Sequence, residues 1–362
     1  MSTDSTSTEP DCTTPASANA CMLTVIVPAR NEADRIDACL RSLTAQSESI
    51  FELGTDWELI LVDDGSTDAT RSIAQSIPGV TVLDPAPLAP GWTGKSNACF
   101  TAAQEARGQW LLFTDADTVH EPGSLRRALH EAEKHQVALL SYSPRQLVSG
   151  LWQRALMPLI FAELALAYPP AKVSDPTLRL AAANGQFLLF RADAYRELGG
   201  HRAVRADILE DVELASLVKR RKLGLRFRTA PDALSTHMYR TTRAMIEGWT
   251  KNLALLFGNC LALAAWRLLD LALIVLLPFL AALYWHATMR GIPWFSAGFL
   301  IALLWLRTLW RFYARVARSH FSPLDCALSP LALPLFASIL CRSWLLHRLR
   351  RSISWKGRVY PT

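Results

Sequence analysis

The sequence predicts an α/β protein, a doubly wound and mostly parallel sheet followed by a transmembrane or interfacial helical region. Three observations carry that expectation. Short apolar, β-branched runs alternate with helix-length segments up to about residue 240, the pattern of right-handed βαβ units. Several of those runs stop abruptly in carboxylates. The final third then changes character, with long uncharged stretches rich in Leu, Ala and Trp.

Met22 to Val27 is a β-branched run stopped by Pro28-Ala29-Arg30-Asn31-Glu32, a first strand and a polar loop. The helix after it reads Arg35-Ile36, Leu40, Leu43. Trp57 to Val62 is the second strand and ends in Asp63-Asp64-Gly65-Ser66-Thr67-Asp68, where Gly65 suits a tight turn and Ser66 or Thr67 can cap a helix. A third strand, Val80 to Leu83, leads through a Pro-rich loop containing Gly91-Trp92-Thr93-Gly94-Lys95 to a helix over Ser96 to Ala106. Gln109 to Phe113 is a buried strand that emerges in Thr114-Asp115-Ala116-Asp117. Helices are expected over 122–134, 192–198, 208–222 and 243–257, and strands over 137–143 and 186–190.

Apolar residues make up 51% of the chain and charged ones 19%, and the formal charge of +6 comes largely from arginines in the last third. That placement points to anionic lipid headgroups, and no aromatic-basic interleaving suggests nucleic acid as a partner. Seven scattered cysteines without Cys-x-x-Cys spacing argue for a reducing compartment and against a zinc site. Residues 1–20 are Ser/Thr-rich without an apolar core, and read as a disordered lead.

Leu151 to Tyr168 is apolar but interrupted by Pro158, so an interfacial helix within 151–170 is expected. Leu268 to Trp285 and Ile292 to Leu306 have lengths compatible with tilted spans. Leu324 to Leu346 holds Asp325, Pro330, Pro334 and Arg342, and reads as a re-entrant or interfacial segment. Arginines after the second run and in the tail prefer the cytosol, which two spans plus such a third segment satisfy. The expected organisation is an α/β domain over 21–258, membrane helices over 259–346 and a basic cytosolic tail over 347–362. The protein would then sit in the cell (inner) membrane, multi-pass, with its α/β domain cytosolic. Buried core helices of a soluble protein are the competing reading.

Asp115 and Asp117 lie at the carboxyl end of a strand, where open α/β sheets bind ligands. Two carboxylates one residue apart repel unless a hard cation lies between them, and Mg²⁺ or Mn²⁺ with a diphosphate suits that need. An Asp-capped turn is the alternative. Glu210-Asp211 opens a later helix, where the dipole alone would favour acids. His237, in Ser235-Thr236-His237-Met238-Tyr239, is a lone histidine of the kind that is more often structural than a ligand.

Taken in order, Val27-Pro28-Ala29-Arg30-Asn31-Glu32, Val62-Asp63-Asp64-Gly65-Ser66-Thr67-Asp68, Gly94-Lys95-Ser96-Asn97, Phe113-Thr114-Asp115-Ala116-Asp117 and Leu209-Glu210-Asp211 resemble the successive motifs of family 2 inverting glycosyltransferases with the GT-A fold. The resemblance runs from about residue 22 to 258. Gly91-Trp92-Thr93-Gly94-Lys95, Gly248-Trp249-Thr250-Lys251-Asn252 and Ser354-Trp355-Lys356-Gly357-Arg358-Val359-Tyr360 further resemble membrane-anchored members that glycosylate isoprenoid lipids, namely the hopanoid-associated and carotenoid acid glycosyltransferases.

The resemblance implies transfer of one hexose from a nucleotide sugar, a UDP-hexose, to a lipid acceptor such as a hopanoid or carotenoid. Pro28, Ala29, Arg30 and Glu32 would line the uridine pocket, and Asp63 or Asp64 would meet base or ribose unless it only steadies the Gly65 turn. Lys95 would face phosphate or sugar. Asp115 and Asp117 would hold the metal, and Asp211, with Glu210 beside it, would be the base that inversion requires. No Gln-x-x-Arg-Trp is present, which favours single transfer over polymerisation. A polyprenyl-phosphate glycosyltransferase, which needs no base, is the alternative enzyme. A transporter or scaffold keeping the sheet as a binding module is the non-enzymatic one. Lys356 and Arg358 are a further expectation, closing over the diphosphate.

Overall fold

The computed structural model describes residues 21–288, 297–350, 352–355 and 358–361. The expected lead over 1–20, the start of the apolar run at Ile292 and the side chains of Lys356 and Arg358 lie outside the described residues.

The strands are β1 (Leu23–Ala29), β2 (Trp57–Asp63), β3 (Val80–Leu83), β4 (Trp110–Phe113), β5 (Thr118–His120), β6 (Leu139–Ser143), β7 (Arg145–Gln146), β8 (Leu188–Arg191), β9 (Leu225–Thr229), β10 (Leu234–Thr236), β11 (Ser352–Trp355) and β12 (Arg358–Pro361). The helices are α1 (Ile36–Thr44), α2 (Thr70–Gln75), α3 (Gly94–Glu105), α4 (Ser124–Lys134), α5 (Gly150–Ala167), α6 (Pro170–Ser174), α7 (Ala192–Glu197), α8 (Gly200–Ala203), α9 (Glu210–Arg220), α10 (Thr242–Leu256), α11 (Cys260–Thr288), α12 (Ala297–Val316), α13 (Pro323–Leu328) and α14 (Leu333–Leu345).

Seven strands form the main sheet in the order β3-β2-β1-β4-β8-β6-β9. All pair parallel except β8, which runs against both β4 and β6. The mixed α/β sheet expected from the sequence is therefore present, with one reversed strand. Alternation along the strands explains why helices cover both faces. Val25, Val27, Leu59, Leu61 and Leu112 join the core under α1 and α4, whereas Ile26, Ile60, Val62, Leu111 and Phe113 join the core under α3, α7 and α9. Helix α3 turns Ala98, Cys99, Ala102 and Ala103 to the sheet, so it sits close. Gly108 allows β4 to lie beside β1, because a Cβ there would stand 2.4 Å from the Thr24 backbone nitrogen.

A small second sheet, β5-β10-β7, was not expected from the sequence. It rises beside the carboxyl end of β4 and carries the chain toward Met238–Arg240. Its strands are only two or three residues long, too short to register as a hydrophobic period.

The third apolar cluster joins α5 and α10 to the C-terminal helices. Pro158 does not end α5, which runs on for 18 residues with Leu156, Leu159 and Ile160 buried against Phe312, Leu333 and Phe336. The segments Gly150–Ser174, Cys260–Tyr284 and Pro323–Arg348 are helical and long and apolar enough to cross a membrane. Helix α12 is of similar length and carries Arg307, Arg311 and Arg315, so the arginines that follow the second apolar run lie on the same helix as its described part. On α11 and α12 large apolar side chains face outward, among them Phe279 (67% exposed) and Trp310 (71%). An ion network ties this region together. Arg267 Nη1 lies 3.2 Å from Glu163 and 2.9 Å from Asp270, and Arg315 lies 2.8 Å from the same Asp270 oxygen.

Candidate active site

A cavity of about 690 Å³ opens at the carboxyl ends of β1, β2 and β4. The first two motifs build its upper wall together. The backbone N–H of Asp64 donates to the Ala29 carbonyl at 2.8 Å, that of Glu32 to Thr70 Oγ1 at 2.8 Å, and that of Ala33 to Asp68 Oδ2 at 3.1 Å. Asn31, at φ 54°, accepts the Thr67 N–H on its side-chain oxygen at 2.8 Å and donates its own N–H to Ser66 Oγ at 3.0 Å. Ser66 and Thr67 thus brace the first loop, and they do not cap α2; the Asp68 carboxylate instead accepts the Thr70 N–H at 3.0 Å.

The adjacent aspartates separate clearly. Asp63 is buried, accepts the Ser66 N–H at 3.0 Å and faces Arg71 at 3.5 Å, and it does not line the cavity. Asp64 lines it, with Arg30 donating to its backbone oxygen at 2.7 Å. Of the pair, Asp63 therefore holds the turn and Asp64 faces the cavity. Pro28, Ala29, Arg30 and Glu32 line the same wall.

Lys95 stands in the first turn of α3, which Thr93 caps by accepting the Ser96 N–H at 3.2 Å. From there its ammonium reaches Asp115 Oδ1 at 2.7 Å and Glu210 Oε1 at 2.9 Å. Burial would lower the Lys95 pKa, but the two carboxylates outweigh it and hold it well above the ordinary lysine range. Glu210 responds in kind: burial pushes it up, and the Lys95 ammonium brings it below the usual carboxylate value.

Asp117 stands in a different setting. Its Oδ2 is 3.6 Å from Arg35, while Oδ1 is buried without a hydrogen-bond partner. Burial and the neighbouring Asp115 push its pKa up to about 7. A buried, orphaned carboxylate oxygen beside a second carboxylate fits a hard divalent cation. Among the described residues no cluster of three or more His, Cys, Asp or Glu gathers there, so such a cation would take its remaining ligands from a substrate's oxygens. His237 does not line the cavity and its Nε2 is 3.2 Å from Ser149 Oγ.

Asp211, at the opening of α9, is fixed by two backbone donors, Gly185 N–H at 2.7 Å and Val212 N–H at 2.8 Å. Burial and the adjacent Glu210 raise its pKa to about 6. Gly185 runs close against these charged groups: a Cβ there would lie 3.0 Å from Lys95 Nζ and 3.4 Å from Asp211 Oδ2. Lys251 also lines the cavity, and burial lowers its pKa to about 8.

A second cavity of about 510 Å³ adjoins the first. Its walls are mainly apolar, from Phe161 and Leu164 on α5, Trp249 and Leu256 on α10, and Phe227 and Phe321. Asn184, Leu209, Asp211, Met238 and Asn252 line both cavities. This second cavity was not foreseen. Its only local signal was the Gly248-Trp249-Thr250-Lys251-Asn252 run, which places Trp249 in one cavity, Lys251 in the other and Asn252 in both.

Residues 24–199 match the model of the family described as glycosyl transferase family 2. A 4,4'-diaponeurosporenoate glycosyltransferase from Staphylococcus aureus (strain MRSA252) is 26% identical over 346 residues, covering 93% of this chain and 88% of the relative. Among solved structures, a mannosyltransferase from Pyrobaculum calidifontis in complex with GDP-Man and Mn²⁺ aligns over 91% of this chain and 87% of its own, with 18% identity and a TM-score of 0.48. Staphylococcus aureus TarS 1-349 in complex with UDP-GlcNAc aligns over 94% and 96%, with 15% identity and a TM-score of 0.41, and similarities this distant transfer no ligand. The chain carries a glycosyl transferase family 2 domain and is a glycosyltransferase.

Proposed function

We propose that the protein is a membrane-associated, metal-dependent inverting glycosyltransferase that moves one hexose from a nucleotide sugar, a UDP-hexose, to an isoprenoid lipid such as a hopanoid or carotenoid. One observation carries the reading: Asp211 lines both the acidic cavity at the strand ends and the apolar cavity behind it. A base in that position meets a polar donor from one side and an apolar acceptor from the other, as displacement with inversion needs. The relative's name, a 4,4'-diaponeurosporenoate glycosyltransferase, supports a carotenoid-type acceptor. The three apolar helical segments support access from a membrane.

In this reading Pro28, Ala29, Arg30, Glu32 and Asp64 hold the nucleoside. Lys95, bridging Asp115 and Glu210, exchanges a carboxylate for the donor's phosphate or sugar oxygens. Asp115 and Asp117 would hold Mg²⁺ or Mn²⁺, whose charge would offset that developing on the departing diphosphate. Asp211 takes the acceptor proton, with its orientation fixed by the Gly185 and Val212 N–H groups. Its pKa of about 6 leaves it largely ionised at neutral pH yet basic enough to receive that proton.

The test is transfer by the purified chain in bicelles, with UDP-sugars, Mg²⁺ or Mn²⁺ and an isoprenoid lipid extract, read by mass spectrometry. A one-hexose shift on an uncharged or carboxylated lipid, lost with EDTA, is expected. A product found only on polyprenyl phosphate would replace this reading with one in which no base acts, and absence of any lipid product would remove it.

A further inference from the structure

Thr114, Thr118 and His120 flank the Asp115–Asp117 turn, and all three are buried although none lines the strand-end cavity. Strand β5 turns Thr118 and His120 inward and leaves Val119 exposed between them. The two threonine hydroxyls reach carbonyls in different parts of the site. Thr114 donates to the Gln186 carbonyl at 2.8 Å, and Thr118 donates to the Asp115 carbonyl at 2.7 Å. His120 Nε2 stands between them, 3.1 Å from the Thr114 hydroxyl oxygen and 3.3 Å from that of Thr118. The His120 backbone is itself held, since its N–H donates to Ser42 Oγ at 3.0 Å and its strand pairs with β10.

Counting hydrogens fixes the state of the ring. A carbonyl only accepts, and each hydroxyl has one hydrogen to give. With both hydrogens spent on the carbonyls, the two hydroxyl oxygens can only accept from the histidine, so Nε2 carries the hydrogen and shares it between them. The opposite tautomer would draw one hydroxyl hydrogen onto Nε2 and release either the Gln186 or the Asp115 carbonyl. Nδ1 agrees with this assignment: it is buried with no hydrogen-bond partner among the described residues, and a bare acceptor is tolerated there better than an orphaned N–H. Burial also lowers the His120 pKa to about 3, so the ring is neutral.

We infer that His120, with its hydrogen on Nε2, is a positioning residue for glycosyl transfer, holding the Asp115–Asp117 turn in register with the 184–186 loop that orients Asp211. The contacts are continuous. They run from the Asp115 carbonyl through Thr118, His120 and Thr114 to the Gln186 carbonyl, and the neighbouring Gly185 N–H donates to Asp211 Oδ2 at 2.7 Å. The inference rests on the proposed reading, in which that turn faces the departing diphosphate and Asp211 faces the attacking oxygen. Both must align on one carbon, so a slip between turn and loop costs rate more than affinity.

The first measurement is the nitrogen–proton NMR spectrum of full-length protein in bicelles, labelled with ¹⁵N in histidine, with His120→Gln assigning the ring. At neutral pH the His120 ring is expected to carry one hydrogen, on Nε2. A hydrogen on Nδ1, alone or with one on Nε2, would overturn the inference. The second measurement compares two amides that differ in reach. Gln extends an N–H to the Nε2 position, whereas Asn reaches only as far as Nδ1. His120→Asn should lower kcat for lipid transfer by about tenfold, the effect of one buried hydrogen bond, with UDP and Mn²⁺ affinity kept within about threefold. His120→Gln should restore kcat to within about threefold of wild type. Wild-type kcat in His120→Asn, or equal loss in both variants, would overturn the role while leaving the lipid-glycosyltransferase reading intact. Absence of lipid product from the wild type itself would remove that reading, and the role with it.

Discussion

Replacing Asp211 by Asn separates the role of a base from the role of a structural carboxylate, and the structure sets the size of each effect. The carboxylate accepts two backbone N–H groups, Gly185 at 2.7 Å and Val212 at 2.8 Å. An amide can satisfy only one, and turns its NH₂ toward the other, a loss of about 1–3 kcal/mol. Against this stands the relief of a strained ionisation. With the pKa raised to about 6, the native state binds more protons than the unfolded chain between the unfolded value and 6. Stability from this group is therefore full below the unfolded pKa and lost as pH rises through about 6, a penalty of about 3 kcal/mol at neutral pH. Asn removes that penalty, so the two terms nearly cancel and Asp211→Asn should melt within a few degrees of wild type at pH 7. Catalysis has no such offset, and loss of a general base should lower kcat by about 10²–10⁴-fold with donor affinity kept. The assay is kcat and KM for lipid transfer beside calorimetric unfolding of the same preparation. In the wild type kcat/KM should rise through about pH 6 and then level. Transfer within threefold of wild type in the variant would refute the base assignment, and a collapse of the melting temperature would refute the cancellation.

Three other outcomes follow from the structure. EDTA should abolish transfer and Mg²⁺ or Mn²⁺ should restore it. Asp117→Ala, which removes the orphaned oxygen, should weaken Mn²⁺ binding, read as a rise in the metal concentration for half-activity of at least about tenfold. In the helical region, Arg267→Met leaves Glu163 without its partner and should destabilise the detergent-solubilised protein by about 3–5 kcal/mol, whereas Glu163→Leu with Arg267→Met should recover most of that loss. Equal denaturation of the single and double variants would count against a buried pair there.

The sequence displayed the parts of the site that depend on local chemistry. Strands β2 and β4 run out into carboxylates and helix α9 opens on two more, so Asp64, Asp115, Asp117, Glu210 and Asp211 could be named, and they do line one cavity. Which of Asp63 and Asp64 faces that cavity was not legible, because the choice is made by Ser66 and Arg71 closing on Asp63. The reversal of β8 was equally silent, since Leu188–Arg191 is apolar in either direction. The apolar cavity was hidden for a different reason. Its walls come from α5, α10 and the 318–325 segment, far apart in the chain, and no period within any one of them records that they meet. That the arginines after the second apolar run lie on the same helix was not legible either, since hydropathy stops at Leu306 but helix α12 continues through Arg307, Arg311 and Arg315.

The C-terminal helices do more than tether the catalytic sheet, and truncation tests that claim. Leu333, Phe336, Ile339 and Leu340 are fully buried, and they pack with Leu156, Leu159 and Ile160 of α5 and Leu253 of α10. Burying each such side chain contributes about 1.5–3 kcal/mol, so four of them approach the whole stability of an ordinary domain. A chain ending at residue 258 also exposes the α5 and α10 faces that those side chains covered, and removes Phe321 and the rest of the 318–325 wall from the apolar cavity. Such a fragment should aggregate in detergent-free buffer. Held in detergent, it should keep donor binding through the strand-end cavity, none of whose lining lies beyond Asn252, and lose transfer to lipid. A soluble, monomeric fragment that glycosylates the lipid with an unchanged acceptor KM would show the opposite, that the helices are an anchor and the acceptor site lies elsewhere.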